Sequence, residues 1–329
     1  NVELGVVPTH IKFVGGLVPD DNGLLPRDAN GELIVLSEMK LLTEMSPVKI
    51  GSTQISVFPG VADEDTEEMI NGLRGLDLAV HLILMVGGAD PMNPADEDKV
   101  VEMLKSGLEV AKKYNIKEVA STSIEEWMQP GASPKTGADY DAAIAQNVKL
   151  HIRALNETNA IEAGIRHWHI EFLRGGEFQT FTNVAKCWDF IKAINAEMGS
   201  KFFKVVVDAA HCGDSDLSIP ENEQKIAEIA ASDEFSMFHA SAKTTRGCLS
   251  TDDGWIGALL AAAAKTGKLE TVFVELFHHN DEALEALRNL EPGHGVDTTD
   301  GRSYNEVVAD GLGDTAHRLN NLVARGFLS

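Results

Sequence analysis

Short apolar runs rich in Val, Ile and Phe alternate along the chain with longer segments that repeat apolar residues at i, i+3, i+4 and i+7. Eight runs of the first kind fall at residues 2–8, 53–59, 78–86, 117–121, 168–172, 204–209, 235–239 and 271–277. Helical periodicity covers 64–76, 100–114, 141–163, 184–198, 223–231 and 255–266. Runs that are apolar on both faces suit the buried strands of a parallel sheet, and strand–helix alternation supplies its right-handed crossovers. Eight such units in 329 residues predict an α/β fold of one kind, a single-domain (β/α)₈ barrel, over a doubly wound sheet. No Gly-x-Gly-x-x-Gly follows the first run, and Gly87-Gly88-Ala89 lacks a third glycine, so the usual dinucleotide-binding signal is missing.

Two segments break the repeat. Residues 12–36 are long for a first βα loop and carry the turn clusters Pro19-Asp20-Asp21-Asn22-Gly23 and Arg27-Asp28-Ala29-Asn30-Gly31. A small hairpin is predicted there, with residues 32–36 as a strand, ahead of a helix near 38–44. Because βα loops gather at the C-terminal face of a barrel, this insertion is placed as a partial lid or partner surface. Residues 303–328 read as a C-terminal helix carrying Val307, Val308, Leu312, Leu319, Leu322 and Val323, packed beside the barrel.

Charge narrows the partners. With 28 Lys and Arg against 51 Asp and Glu, the formal net charge of -23 repels a polyphosphate backbone, so nucleic acid is not expected. No apolar run approaches the roughly 18 residues of a membrane span. Cys187, Cys212 and Cys248 form an odd set without CxxC spacing, which fits a reducing compartment. Together with the lack of a charged-then-apolar leader, this predicts a cytoplasmic location.

Chemistry concentrates where four of the runs end. The fifth closes on Trp168-His169-Ile170-Glu171, the sixth on Asp208-Ala209-Ala210-His211, the seventh on Met237-Phe238-His239 and the eighth on Val272-Phe273-Val274-Glu275. Strand ends of a barrel surround one axis at the C-terminal rim, so alternation can aim Glu171, Asp208, His239 and Glu275 at a common point. Three carboxylates and one imidazole form an oxygen-rich set suited to one Mn²⁺, Mg²⁺ or Co²⁺ ion and poorly suited to structural zinc. His10, at the end of the first run, and Trp127, after the fourth, fall on the same rim as candidate pocket residues; the indole can stack on the apolar face of a ligand. His167 and His169 share the face of Glu171 but lie deeper, and read as interior histidines.

Over essentially the whole chain this pattern resembles the xylose-isomerase-like TIM-barrel superfamily of sugar isomerases and epimerases, most nearly its ketose 3-epimerase branch. In that branch a metal sits on Glu, Asp, His and Glu from strands five to eight, which matches Glu171, Asp208, His239 and Glu275. Among these ions Mn²⁺ is expected ahead of Mg²⁺ or Co²⁺, and the resemblance implies the two glutamates as the groups that remove and return a proton beside a ketose carbonyl, through an enediolate. It implies sugar contacts from Glu177, six residues after the first ligand, from His211 of the Asp-x-x-His, and from Arg246, shifted by one residue. The sequence departs from the branch at Arg174-Gly175-Gly176 and at Ala242-Lys243-Thr244-Thr245-Arg246-Gly247.

Those departures keep a second reading open: a lyase of the same superfamily acting on a keto-sugar, either a keto-inositol dehydratase or the metal-bearing subunit of a C-glycoside-cleaving complex. An enolate beside a leaving group eliminates as readily as it reprotonates. A DNA-repair endonuclease of this superfamily is disfavoured by the charge, and a non-catalytic partner subunit is the remaining alternative. A homo-oligomer is expected by the same resemblance.

Overall fold

Every one of the eight apolar runs overlaps a strand. The computed structural model describes residues 1–9, 16–243, 249, 252–277, 285–293, 295 and 301–329. In chain order it gives β1 (Glu3–Val7), α1 (Ile34–Met45), β2 (Ser52–Ser56), α2 (Asp63–Gly75), β3 (Ala79–Ile83), α3 (Glu97–Lys113), β4 (Glu118–Ser121) and α4 (Gly137–Thr158). The second half adds β5 (His167–Ile170), α5 (Val184–Met198), β6 (Phe203–Asp208), a short α6 (Ala209–Gly213), α7 (Ile219–Ala231), β7 (Phe235–Ala240) and α8 (Trp255–Lys265). The chain finishes with β8 (Thr271–Glu275), α9 (Glu285–Leu290) and α10 (Tyr304–Ala324). All strands pair in parallel in sequence order, and β8 closes on β1 with Glu275 opposite Val7. The protein is a (β/α)₈ barrel.

Alternation along each strand divides its side chains between two environments. Outward residues such as Trp168, Val205, Val207, Phe238, Val272 and Val274 are fully buried beneath the helices and belong to one continuous core. Inside the barrel a smaller apolar cluster, Val7, Val206, Met237 and Phe273, forms a separate layer. Gly5 of β1 makes room for it, because a Cβ there would lie 2.3 Å from Ser52 Oγ and 2.6 Å from the Phe273 ring. Gly5→Ala is therefore expected to destabilise the fold by about 1–3 kcal/mol through overpacking, read as a lower midpoint in urea unfolding.

Helix ends follow local chemistry. Ser218 with Glu221 and Ser303 with Glu306 form capping boxes that start α7 and α10. Asn183 caps α5, which stops at Gly199 in the left-handed region.

The first loop departs from the predicted hairpin. Of the strand expected at 32–36, a single bridge between Arg27 and Leu33 remains, and α1 begins at Ile34. A five-residue apolar segment cannot distinguish the two periods. Here Val35, Leu36, Met39 and Leu42 form one buried helical stripe, with Leu36 against Gly72 of α2. Arg27 fastens the preceding turn to α2 through Asp65 at 2.7 Å and Glu68 at 2.6 Å. Residues 10–15 of this loop, with His10, lie outside the described residues.

Helix α10 packs on α1, β1 and β8, covering the seam where the barrel closes. It buries Val307, Val308, Leu312, Leu319 and Leu322, while Val323 of the expected stripe is exposed. Among the described residues no helix is long and apolar enough to cross a membrane.

Candidate metal centre at the barrel rim

Asp208, His239 and Glu275 each follow by two residues an apolar inward side chain, namely Val206, Met237 and Phe273. The strand period of two therefore stacks the three polar groups one layer above that apolar floor. Glu171 follows His169 in the same way, one residue past the end of β5. The four bring one ligand atom each to within 4.8 Å of one another. His239 Nδ1 lies 3.2 Å from Glu275 Oε2 and 3.8 Å from both Glu171 Oε1 and Asp208 Oδ2. Asp208 divides its carboxylate: Oδ1 accepts from the His211 amide at 2.8 Å and so caps α6, while Oδ2 turns to the cluster. A register shift in the β6–β7 pairing, between Val205 and Val206, lies just below.

The electrostatics are those of a site built around positive charge. Asp208 is fully buried, and His239 and Glu275 are nearly so. Burial pushes the Glu171 carboxyl up, against the pull of His239 and His211, and the nearby Glu275 adds to the rise. Burial works against a charged His239 imidazole, yet Glu275, Glu171 and Asp208 outweigh it and raise its pKa. Three carboxylates over an apolar floor repel one another unless a cation sits among them. His239 Nε2 is buried without a hydrogen-bond partner, so Nδ1 is the nitrogen committed to the cluster. The donor set fits an oxygen-preferring divalent ion.

A second ring of groups stands beside the cluster. His211 Nδ1 lies 3.2 Å from Glu171 Oε1, and its Nε2 lies 3.9 Å from Glu177 Oε2. Trp127 donates from Nε1 to Glu177 Oε1 at 3.0 Å, and the residue is 40% exposed. Of the residues expected at the site, Glu171, Asp208, His239, Glu275, Glu177, His211 and Trp127 thus form one connected group. His10 and Arg246 fall outside the described residues.

Two further residues shape the site without a recognisable sequence signal. In the sequence Arg174 registers only as a departure from the epimerase pattern. In the fold it is buried, ion-paired with Glu291, 3.6 Å from Glu177 and 4.0 Å from Asp214. Glu125, two residues before Trp127, accepts from the backbone amides of Gln179, Thr180 and Phe181 at 2.8–3.1 Å. It clamps the loop that carries Glu177 onto the loop that carries Trp127. Both are long-range loop contacts, which spacing does not reveal.

No protein-family model and no curated protein matches the sequence. Solved structures do resemble it. A D-allulose 3-epimerase from Methylomonas sp. aligns over 96% of this chain and 98% of its own with a TM-score of 0.72 at 15% identity. The same enzyme has also been solved with D-allulose bound. A sugar phosphate isomerase/epimerase-like protein from Anabaena variabilis aligns over 98% and 99%, TM-score 0.74, at 16% identity. A 3-keto-D-glucoside 4-epimerase from E. coli aligns over 89% and 100%, TM-score 0.57, at 14% identity. The structural neighbours are thus sugar epimerases and isomerase/epimerase-like proteins, and what this chain shares with them at this identity is the fold.

Proposed function

We propose that this xylose-isomerase-like barrel is a divalent-metal-dependent sugar isomerase or epimerase, moving a proton beside the carbonyl of a small ketose. The observation that carries the reading is the convergence of Glu171, Asp208, His239 and Glu275 within 4.8 Å above a buried apolar floor. These four would hold the ion, with Mn²⁺ the best match to their donors. When bound, it supplies Lewis-acid stabilisation of the negative charge that develops on the sugar oxygens.

The chain's own groups do the rest. Glu171, one residue past β5, and Glu275, at the end of β8, are separated around the rim by β6 and β7, so a sugar carbon held between them has a carboxylate on each side. One, ionised, removes the proton and the other, protonated, delivers its own to the opposite face, which inverts that carbon and leaves the two carboxyl groups with their protonation exchanged. His211 lies against Glu171 and orients that carboxylate. Glu177, held by Trp127 and flanked by Arg174, would bind sugar hydroxyls. Glu177→Gln is expected to raise KM about tenfold to a hundredfold, the worth of a charge-assisted hydrogen bond, with kcat changed less. Steady-state kinetics on the active ketose separate the two parameters.

Incubation of the Mn²⁺-loaded protein with free ketoses, inososes and 3-keto-glycosides, followed by ¹³C NMR, tests the assignment. A product of unchanged formula, inverted beside the carbonyl, is the expected result. Loss of water or of an aglycone would transfer the same proton abstraction to a lyase.

A further inference from the structure

Two histidines that the rim site does not use lie at the opposite end of the barrel. The strand period puts His167 and His169 on the inward face of β5, below Glu171. There they meet Glu118, the first residue of β4, whose Cα pairs with that of His167 in the parallel register. Glu118 Oε2 lies 2.9 Å from His169 Nε2 and 3.1 Å from His167 Nδ1. The other oxygen, Oε1, is held at 3.0 Å by Arg166, which is half exposed and also 3.6 Å from Glu270. Glu118 and His169 line a cleft of ≈ 540 Å³ at the N-terminal mouth, together with Glu3, His81 and Glu270.

We propose that Glu118, His167 and His169 form a second metal site, selective for Zn²⁺, whose fourth coordination position opens into this cleft. Their three donor atoms lie within 4.8 Å of one another. A tetrahedral zinc with bonds of about 2.0–2.1 Å holds its donors about 3.3 Å apart, so the two Glu118 contacts need to open by only a few tenths of an ångström. Two imidazoles and one carboxylate form a nitrogen-rich set, the kind that zinc takes with three protein ligands and one open position. This contrasts with the oxygen-rich rim, so the two sites sort different ions. Arg166, on the oxygen that lies farther from the histidines, 3.3 Å from His167 Nδ1, orients the carboxylate as an outer partner of the ligand. Neighbouring strands supply all three donors, so the ion staples the first residues of β4 and β5 at the mouth of the barrel, about four residues and roughly 13 Å along β5 from Glu171.

Equilibrium dialysis of the tag-free full chain against micromolar Zn²⁺, read by elemental analysis, tests this. The rim variant Asp208→Asn with Glu275→Gln is expected to retain one Zn²⁺ per chain. Adding His167→Asn is expected to remove it, as is adding Glu118→Gln. His167 sits at the partly exposed start of its strand, and circular dichroism verifies that each variant folds. Co²⁺ in place of Zn²⁺ in the folded rim variant is expected to give the intense visible absorption of a tetrahedral site, lost with His167→Asn. His167→Asn alone is expected to leave any ketose epimerisation unchanged. A folded rim variant that binds no Zn²⁺ would overturn the proposal. Bound Zn²⁺ that survives both His167→Asn and Glu118→Gln would do the same. Either result stands apart from the rim reading, since the rim is disabled in every arm but the activity control.

Discussion

Glu275→Gln is expected to lower kcat for the proposed epimerisation by about 10²–10⁴-fold, the usual contribution of a placed acid–base group. The amide keeps the volume and one oxygen of the carboxylate but cannot accept a proton from carbon. It also removes one of the three negative charges facing His239, whose Nδ1 lies 3.2 Å from Glu275 Oε2. Weaker Mn²⁺ binding is therefore expected alongside the loss of turnover. Assays at saturating Mn²⁺ separate the two: a rate restored by excess metal would assign Glu275 to metal holding alone. Folding should be little affected, because Glu275 is the last residue of β8 and the apolar layer beneath it is untouched.

The largest effect on stability is expected away from the rim, at Trp168. Its side chain is fully buried on the outer face of β5 and stacks on Phe203 with ring centroids 5.2 Å apart. It packs edge-on to His151 and donates from Nε1 to Ser121 Oγ at 2.8 Å. Trp168→Ala removes that contact area, leaves a cavity between β5 and α4, and strips Ser121 of a donor. A loss of about 3–5 kcal/mol is expected, measured by urea unfolding. Trp168→Phe keeps most of the packing and should cost markedly less. Equal losses in the two variants would place the stabilisation in the hydrogen bond instead of the ring.

The barrel and the heart of its candidate site were legible in the sequence for the same reason. A strand buried on both faces is apolar throughout, so a polar ligand-type residue stands out where the strand leaves the core. Asp208 after Val205-Val206-Val207 and Glu275 after Val272-Phe273-Val274 are of this kind, and alternation alone aims them inward. Loop chemistry was not legible in this way. Arg174 and Glu125 act through partners 117 and 54 or more residues away, and nothing in local spacing marks such contacts. At 32–36 the error was one of length: five apolar-rich residues fit either period, and the buried stripe extending to Leu42 decides for a helix. The lower cluster was half visible. In the sequence His167 and His169 read as interior histidines, but their shared partner Glu118 comes from the preceding strand and emerges only with the β4–β5 register.

Solvent isotope exchange tests the central claim most directly. The metal-stripped chain and the Mn²⁺-loaded chain would each be incubated in D₂O with the ketose that the panel identifies, and the sugar followed by NMR. The account predicts deuterium at the carbon beside the carbonyl, in product and in recovered substrate, only when Mn²⁺ is present. Epimerisation without deuterium, or at an equal rate after metal removal, would contradict it.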